Sequence, residues 1–223
     1  MSSIAFFDFD ETIVPMKSMF FFLKYATSAK PRMFPKSYEA IMASIHQLSA
    51  DGTSREGINT YYYSIFAGIA VNEVRFLAKS MWLNARDYLI TVSVERLREH
   101  QRLGDDVVVV SGAMRDIIDP VLEQIDVDQT LCSEPEVING RYTGGLTQQA
   151  IGVGKAKLVT AYCEDNGITP LKCYAYGDHV SDLDMLMAVG FPVAVNPDPA
   201  LLSIAREKSW PVLSSDDLSH LCE

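Results

Sequence analysis

The 223-residue sequence lacks the features that define several classes of protein. No apolar run is long enough to span a bilayer, and the stretch at residues 19–23 stops at Lys24. The first residues have neither the basic start nor the small-residue cleavage site of a secretory signal. Internal repeats and low-complexity tracts are also missing. We therefore expect a soluble, cytoplasmic protein with no membrane partner.

Cysteine and histidine are few and scattered. The sequence has four of each, without a Cys-x-x-Cys pair and without a histidine at metal-ligand spacing from a cysteine. A zinc site or a disulfide framework is therefore not expected. The residues are Cys132, Cys163, Cys173 and Cys222, and His46, His100, His179 and His220.

Acidic residues outnumber basic residues: the sequence has 19 Lys and Arg and 29 Asp and Glu, which gives a formal net charge of -10. Such a chain is repelled by nucleic acid, so we expect no nucleic-acid partner. A small phosphorylated substrate remains compatible, since a bound metal ion reverses the field locally. With 48% hydrophobic residues, the chain supports one substantial core, or a core domain with a smaller insert.

Four short apolar runs predict the core strands. Each run is nearly continuous rather than alternating, which is typical of strands buried on both faces of a parallel sheet. The runs cover residues 4–7, 107–110, 173–176 and 193–195. Helical patterns flank them at residues 94–103, 114–124, 155–166 and 182–189. This alternation predicts an α/β fold with a doubly wound parallel sheet.

A long segment after the first strand breaks the alternation. Residues 15–89 carry apolar and aromatic side chains at helical spacing, interrupted by turn signals such as Asp51-Gly52. We interpret this segment as a helical cap, and residues 1–14 with 90–223 as the core domain. Asn139-Gly140 predicts the turn of a β-hairpin within residues 136–146.

The first predicted strand ends in Asp8-Phe9-Asp10-Glu11-Thr12. In an extended strand end, the side chains of Asp8 and Asp10 point the same way, and two close carboxylates repel unless a cation or a proton intervenes. Oxygen-rich neighbours suit Mg²⁺. Isolated Asp-x-Asp pairs are more often turn or capping residues. The wholly apolar strand before this pair favours a functional role for the two aspartates over a turn or capping role.

Polar residues also follow the other core strands. Ser111-Gly112 offers a hydroxyl and backbone N–H groups to an anion, although an ordinary helix cap explains a serine there equally well. Asp178 and Asp182 add two carboxylates, and Asp182 also suits a helix cap. Lys155 adds a cation, with Lys157 as its neighbour and competitor.

These residues meet at one edge of the predicted sheet, because ligands bind outside the carboxyl ends of parallel strands. Carboxylates with a metal, a hydroxyl and an ammonium are the set that phosphoryl transfer requires. Asp8 is the candidate nucleophile, and Asp10 the candidate that protonates the leaving alcohol and then activates water.

The four motifs, in this order, resemble those of the haloacid dehalogenase superfamily, over nearly the whole chain. The resemblance implies that Asp8 is nucleophile and metal ligand, that the Asp10 carbonyl also binds the metal, and that Asp178 and Asp182 complete an Mg²⁺ site. Ser111 and Lys155 match the second and third motifs, so both are expected to be catalytic, and Thr12 and Gly112 to bind the substrate.

A closer resemblance is to the phosphoserine-phosphatase-like branch, subfamily IB. Gly140-Arg141-Tyr142-Thr143-Gly144 and Tyr174-Ala175-Tyr176-Gly177-Asp178 are typical of it. One departure is Lys17, which stands where phosphoserine phosphatases carry a glutamate that binds the substrate amine. Tyr61, Tyr62 and Tyr63 occupy the region of the cap arginine. An ammonium beside Lys17 is unfavourable, so a substrate with an extra negative group or an apolar body is expected.

Other functions remain open at this point. A dehalogenase is disfavoured, because those enzymes need no metal and usually lack the residue equivalent to Asp10. A phosphomutase or phosphotransferase shares the motifs. A non-catalytic phosphate-binding module usually loses Asp8 or Asp10, and a receiver-like signalling domain lacks a cap after its first strand. The favoured prediction is a Mg²⁺-dependent phosphomonoester hydrolase acting on a small phosphorylated metabolite, as a monomer or homodimer.

Overall fold

The computed structural model describes residues 3–215. Cys222 and His220, counted above, lie outside them, as do Met1 and Ser2. Within these residues one sheet of seven strands has the order β4-β3-β2-β1-β5-β6-β7. In chain order the strands are β1 (Ile4–Asp8), β2 (Asp106–Met114), β3 (Gln129–Ile138), β4 (Arg141–Gln148), β5 (Tyr174–Gly177), β6 (Phe191–Val195) and β7 (Val212–Leu213).

Nine α-helices and three short 3-10 turns accompany the sheet in the described part of the chain. The helices are α1 (Ser18–Ala29), α2 (Tyr38–Ala50), α3 (Arg55–Ser64), α4 (Val71–Met81), α5 (Thr91–Leu103), α6 (Arg115–Ile125), α7 (Val153–Asp165), α8 (Leu183–Met187) and α9 (Pro199–Glu207). The 3-10 turns are Ala85–Tyr88, Pro170–Lys172 and Val180–Asp182. No helix among residues 3–215 has the length and apolar character needed to cross a membrane.

The sheet is doubly wound about its central strand, β1. From β1 the chain passes to β2 and β3 on one side, and later to β5, β6 and β7 on the other. All neighbouring pairs are parallel except β3 and β4, which form the predicted hairpin. The predicted fold class and the four predicted core strands are confirmed. The crevice where the winding direction changes, beside the end of β1, is the expected ligand position.

The continuous apolar runs follow from burial of both faces of the sheet. Phe7 and Val109 belong to the hydrophobic cluster on one face, whereas Phe6 and Val108 belong to the cluster on the other face, and all four are fully buried. The rings of Phe7 and Tyr176 stack across β1 and β5 with their centroids 4.2 Å apart. These contacts hold the two strands whose ends carry the site side by side.

Helices α1–α4 form an insert between β1 and α5, and this insert packs tightly on the rest of the molecule. The indole N–H of Trp82 donates to the carbonyl of Ile117 in α6 at 2.9 Å. Phe22 and Tyr62 are almost fully buried in the cluster that also contains Phe7. The assignment of residues 15–89 to a separate cap domain stays a prediction.

The hairpin turn has the expected backbone. Asn139 and Gly140 adopt φ values of 51° and 73°, the left-handed conformation that a two-residue turn requires. One expectation was wrong in detail. The helix predicted at residues 182–189 is a 3-10 turn followed by the five-residue α8, because His179 and Asp182 form a capping box at its start. Strand β7 and the beginning of β3 were not predicted from the sequence.

Candidate active site

Three buried carboxylates meet at the carboxyl end of the central strands. Asp8 closes β1, while Asp178 and Asp182 follow β5, which pairs directly with β1. One oxygen from each of the three carboxylates lies within 4.8 Å of the others. Their exposed fractions are only 6%, 7% and 1%. The parallel pairing of β1 and β5 therefore brings together residues about 170 positions apart in the sequence.

Lys155 lies between two of these carboxylates. Its Nζ donates to Oδ1 of Asp8 and to Oδ1 of Asp182, each at 2.6 Å. The lysine is 4% exposed and sits in the first turn of α7. The backbone of Gln149 packs closely against the start of this helix. Position 154 must therefore be glycine, because a Cβ there would lie 2.2 Å from the carbonyl oxygen of Gln149. The sequence prediction that Lys155 reaches the site agrees with this placement.

One ammonium does not neutralise three buried carboxylates. Burial raises the pKa of Asp8 well above its usual value, and the Asp182 charge adds to this effect against the opposing Lys155. Burial and Asp182 likewise raise the pKa of Asp178 to about 6. The site thus favours an added cation, and three carboxylate oxygens are ligands that Mg²⁺ prefers. Asp8, Asp178 and Asp182 fit this ion.

Asp10 has a different environment from the three clustered carboxylates. Its Oδ1 accepts a hydrogen bond from the backbone N–H of Ser18, at the start of α1, over 2.8 Å. Burial raises the pKa of Asp10, and the hydrogen bonding of Ser18 opposes that shift. A carboxyl group that lines the cavity and has a raised pKa suits the role of a proton donor. Metal ligation by its backbone carbonyl stays a prediction.

Ser111 and Gly112 lie on the cavity surface at the end region of β2. The Ser111 Oγ accepts a hydrogen bond from the Ala113 N–H at 3.1 Å, within the loop-like bulge of that strand. The Gly112 carbonyl accepts hydrogen bonds from Asn59 Nδ2 at 3.2 Å and from the Tyr63 hydroxyl at 3.0 Å. Residues of the insert therefore hold the backbone beside the predicted phosphate-binding serine.

Thr12 and Lys17 are placed differently from the other motif residues. Thr12 is fully buried, and its hydroxyl donates to Oδ1 of Asp178 at 3.2 Å, so it supports that carboxylate. Lys17 borders the cavity but forms an ion pair with Glu11 at 3.6 Å. Direct substrate binding by either residue stays a prediction.

A cavity of about 360 Å³ connects these residues with the insert. Several of its lining residues were not predicted from the sequence: Phe20, Met42, Ile45, Arg55, Ile58 and Asn59. Arg55 Nη1 donates to the His179 ring, 2.9 Å from Nδ1, and burial together with Arg55 lowers the pKa of that histidine. The helical spacing of apolar residues predicts which side chains are buried. It does not predict which of them line the cavity.

The fold and this site define a hydrolase of the haloacid dehalogenase class. The profile of the haloacid dehalogenase-like hydrolase family matches residues 5–187, and the chain belongs to that family. It is 31% identical over 215 residues to a probable phosphatase of Mycobacterium tuberculosis, covering 94% of this chain and 74% of the relative.

Solved structures share the fold. A protein of unknown function from Bordetella pertussis has a TM-score of 0.87 at 23% sequence identity. The match covers 96% of this chain and 100% of that protein. A substrate-bound phosphoserine phosphatase has a TM-score of 0.69 at 18% identity, covering 100% of this chain and 99% of its own.

Proposed function

We propose that the protein is a Mg²⁺-dependent phosphomonoester hydrolase that forms an aspartyl-phosphate on Asp8. The observation that carries the proposal is the convergence of Asp8, Asp178 and Asp182, two of which, Asp8 and Asp182, contact Lys155. Asp10 and Ser111 line the same cavity. The similarity to a probable phosphatase supports the same reaction class. The substrate is a small phosphorylated metabolite.

In the first half-reaction a carboxylate oxygen of Asp8 attacks phosphorus, and the bond from phosphorus to the ester oxygen breaks. Asp10 donates its proton to the departing alkoxide, so the product leaves as a neutral alcohol. Lys155, already within 2.6 Å of Asp8, neutralises charge that develops on the transferred group. The Ser111 hydroxyl donates to a phosphoryl oxygen.

In the second half-reaction Asp10 removes a proton from a water molecule, which attacks phosphorus and breaks its bond to Asp8. Inorganic phosphate leaves, and both aspartates return to their starting forms. Asp8, Asp178 and Asp182 would hold the Mg²⁺ ion, which would supply positive charge to offset the phosphate and the carboxylates. Thr12, bonded to Asp178 at 3.2 Å, keeps that ligand in position.

The test is phosphate release from a panel of phosphomonoesters, with and without Mg²⁺. We expect release to require Mg²⁺ and to vanish in Asp8→Asn. Asp10→Asn should retain a slow first step, so the phosphorylated protein accumulates and is detected by mass spectrometry. Asp165→Asn, at an exposed carboxylate away from the cavity, is the control and should keep full activity.

Two outcomes would overturn the proposal. Release that persists in Asp8→Asn would exclude Asp8 as the nucleophile. A phosphorylated intermediate that returns its phosphoryl group to an organic acceptor, without release of phosphate, would identify a phosphomutase or phosphotransferase instead.

A further inference from the structure

The part of the cavity formed by the insert holds both apolar and polar side chains, and the polar ones are Lys17, His46, Ser49, Arg55 and Asn59. Phe20 of α1, Met42 and Ile45 of α2 and Ile58 of α3 all line it. Tyr62 lines the same region, and its hydroxyl donates to the Met19 carbonyl at 2.7 Å, so it presents its ring rather than a free polar group. The carboxylates and Lys155 lie at the other end, at the sheet. The cavity therefore has a charged floor, and these apolar side chains form an upper wall that stands among polar side chains of the insert.

The acidic groups of the cavity already have partners within residues 3–215. Glu11 pairs with Lys17, and Asp10 accepts from the Ser18 N–H. The clustered carboxylates contact Lys155 or Thr12. The cations Lys17 and Arg55 belong to the insert, and both line the cavity. They would repel a substrate ammonium, and the Glu11 carboxylate on the same cavity is already paired with Lys17.

We propose that the leaving group of the substrate is an apolar, uncharged alcohol, whose body packs against Phe20, Met42, Ile45 and Ile58. This inference rests on the proposed phosphomonoesterase function and narrows its substrate class. Phosphate on the charged floor and an apolar body on the upper wall match the two ends of the cavity. The cavity volume of about 360 Å³ is within the range of sites that enclose small organic ligands.

The physical basis is the release of water from apolar surface. Each methylene that leaves water for an apolar pocket improves transition-state binding by roughly fourfold. A short polar alcohol such as serine leaves the wall uncovered, and its ammonium adds repulsion. An extended apolar alcohol avoids both penalties.

The first experiment compares kcat/KM across esters that differ only in the alcohol: ethyl phosphate, n-hexyl phosphate, the ω-amino and ω-carboxy derivatives of n-hexyl phosphate, and phosphoserine. We expect n-hexyl phosphate to exceed ethyl phosphate by at least about tenfold. The ω-amino ester and phosphoserine should fall well below n-hexyl phosphate. If the ω-carboxy ester is preferred, and Arg55→Gln removes that preference, the leaving group is anionic and the proposal is wrong.

A substitution in the wall tests the same inference from the protein side. Met42→Gln preserves side-chain length and helix propensity but makes the wall polar. It should reduce kcat/KM for n-hexyl phosphate by roughly tenfold more than it reduces kcat/KM for ethyl phosphate. Met187→Gln is the matched control, because Met187 is 53% exposed and does not line the cavity. Equal losses on both esters in Met42→Gln would contradict a role for this residue in selection of the alcohol.

Binding without turnover separates this inference from the proposed function. Ethylphosphonate and n-hexylphosphonate are not hydrolysed, and calorimetry in the presence of Mg²⁺ gives their affinities. If no ester is hydrolysed but n-hexylphosphonate binds more tightly than ethylphosphonate, the hydrolase proposal fails and the apolar site stands. If esters are hydrolysed without any preference for apolar alcohols, only the present inference fails.

Discussion

The Tyr63 hydroxyl donates a hydrogen bond to the carbonyl oxygen of Gly112 over 3.0 Å, linking α3 of the insert to the end region of β2. Asn59 donates to the same oxygen at 3.2 Å. The peptide that contains this carbonyl also contains the Ala113 N–H, which donates to the Ser111 Oγ at 3.1 Å. Two insert residues therefore orient the peptide that holds the predicted phosphate-binding hydroxyl.

Tyr63→Phe is expected to weaken phosphate binding without changing the choice of alcohol. Loss of one hydrogen bond of this kind corresponds to about 1 kcal/mol, so KM should rise several-fold for every ester tested. Tyr61→Phe, two positions earlier in α3, is the control and should behave as wild type. A KM increase restricted to esters with large alcohols would show that Tyr63 acts on the leaving group instead.

Lys155→Met is expected to reduce kcat/KM by on the order of 10²-fold or more, because the developing charge on the phosphoryl group loses its ammonium. The variant also leaves buried carboxylates without their cation. Its metal-free form should unfold more easily, by roughly 3–5 kcal/mol, and Mg²⁺ should recover part of that stability. Denaturant unfolding with and without Mg²⁺ measures this, with exposed Lys157→Met as control. Unchanged activity in Lys155→Met would remove the lysine from the mechanism.

The stability of the metal-free protein is expected to depend on pH through Asp178. Burial and Asp182 raise its pKa from 3.8 to about 6. A carboxyl group with a raised pKa stabilises the folded state when protonated, and that contribution is fully present below about pH 4 and lost as pH rises through about 6. Mg²⁺ should therefore raise Tm more at about pH 7.5 than at about pH 5.

Asp178→Asn tests the assignment of this pH dependence. The variant removes the titrating group, so the difference in Tm between the metal-free protein at the two pH values should shrink. A difference as large as that of the wild type would assign the dependence to another group.

Tyr176→Phe is expected to destabilise the protein without affecting the chemistry. The buried imidazole of His100 is held by Asp105 Oδ2 at its Nδ1 and by the Tyr176 hydroxyl at its Nε2, each at 2.8 Å. Removing the hydroxyl leaves a buried polar nitrogen without a partner, which corresponds to about 1–3 kcal/mol of unfolding free energy. Urea unfolding measures the loss, and Tyr174→Phe in the same strand is the control. Equal stability of Tyr176→Phe and wild type would contradict a structural role for this bond.

Local patterns were sufficient for the sheet and for most motif residues. The apolar runs before Asp8 and Asp178 predicted doubly buried strands, because a strand in a parallel sheet must be apolar on both faces. Their terminal carboxylates were expected to meet because ligands bind at the carboxyl edge of such a sheet, and Lys155 contacts Asp8 and Asp182 there. Strand β7 was missed because two residues are too few to show a periodicity, and only its pairing with β6 defines it.

The sequence by itself determined the α/β class, the central strands and the acidic motif, since these follow from periodicity and from residue types a few positions apart. Only the tertiary structure decided that Asn59 and Tyr63 hold Gly112, that Lys17 pairs with Glu11, and which side chains of the insert line the cavity. Helical spacing alone does not distinguish the residues that make these contacts from their neighbours on the same helix. The packing of the insert against the sheet selects among them, because the direction of each helix face depends on long-range contacts that local sequence does not encode.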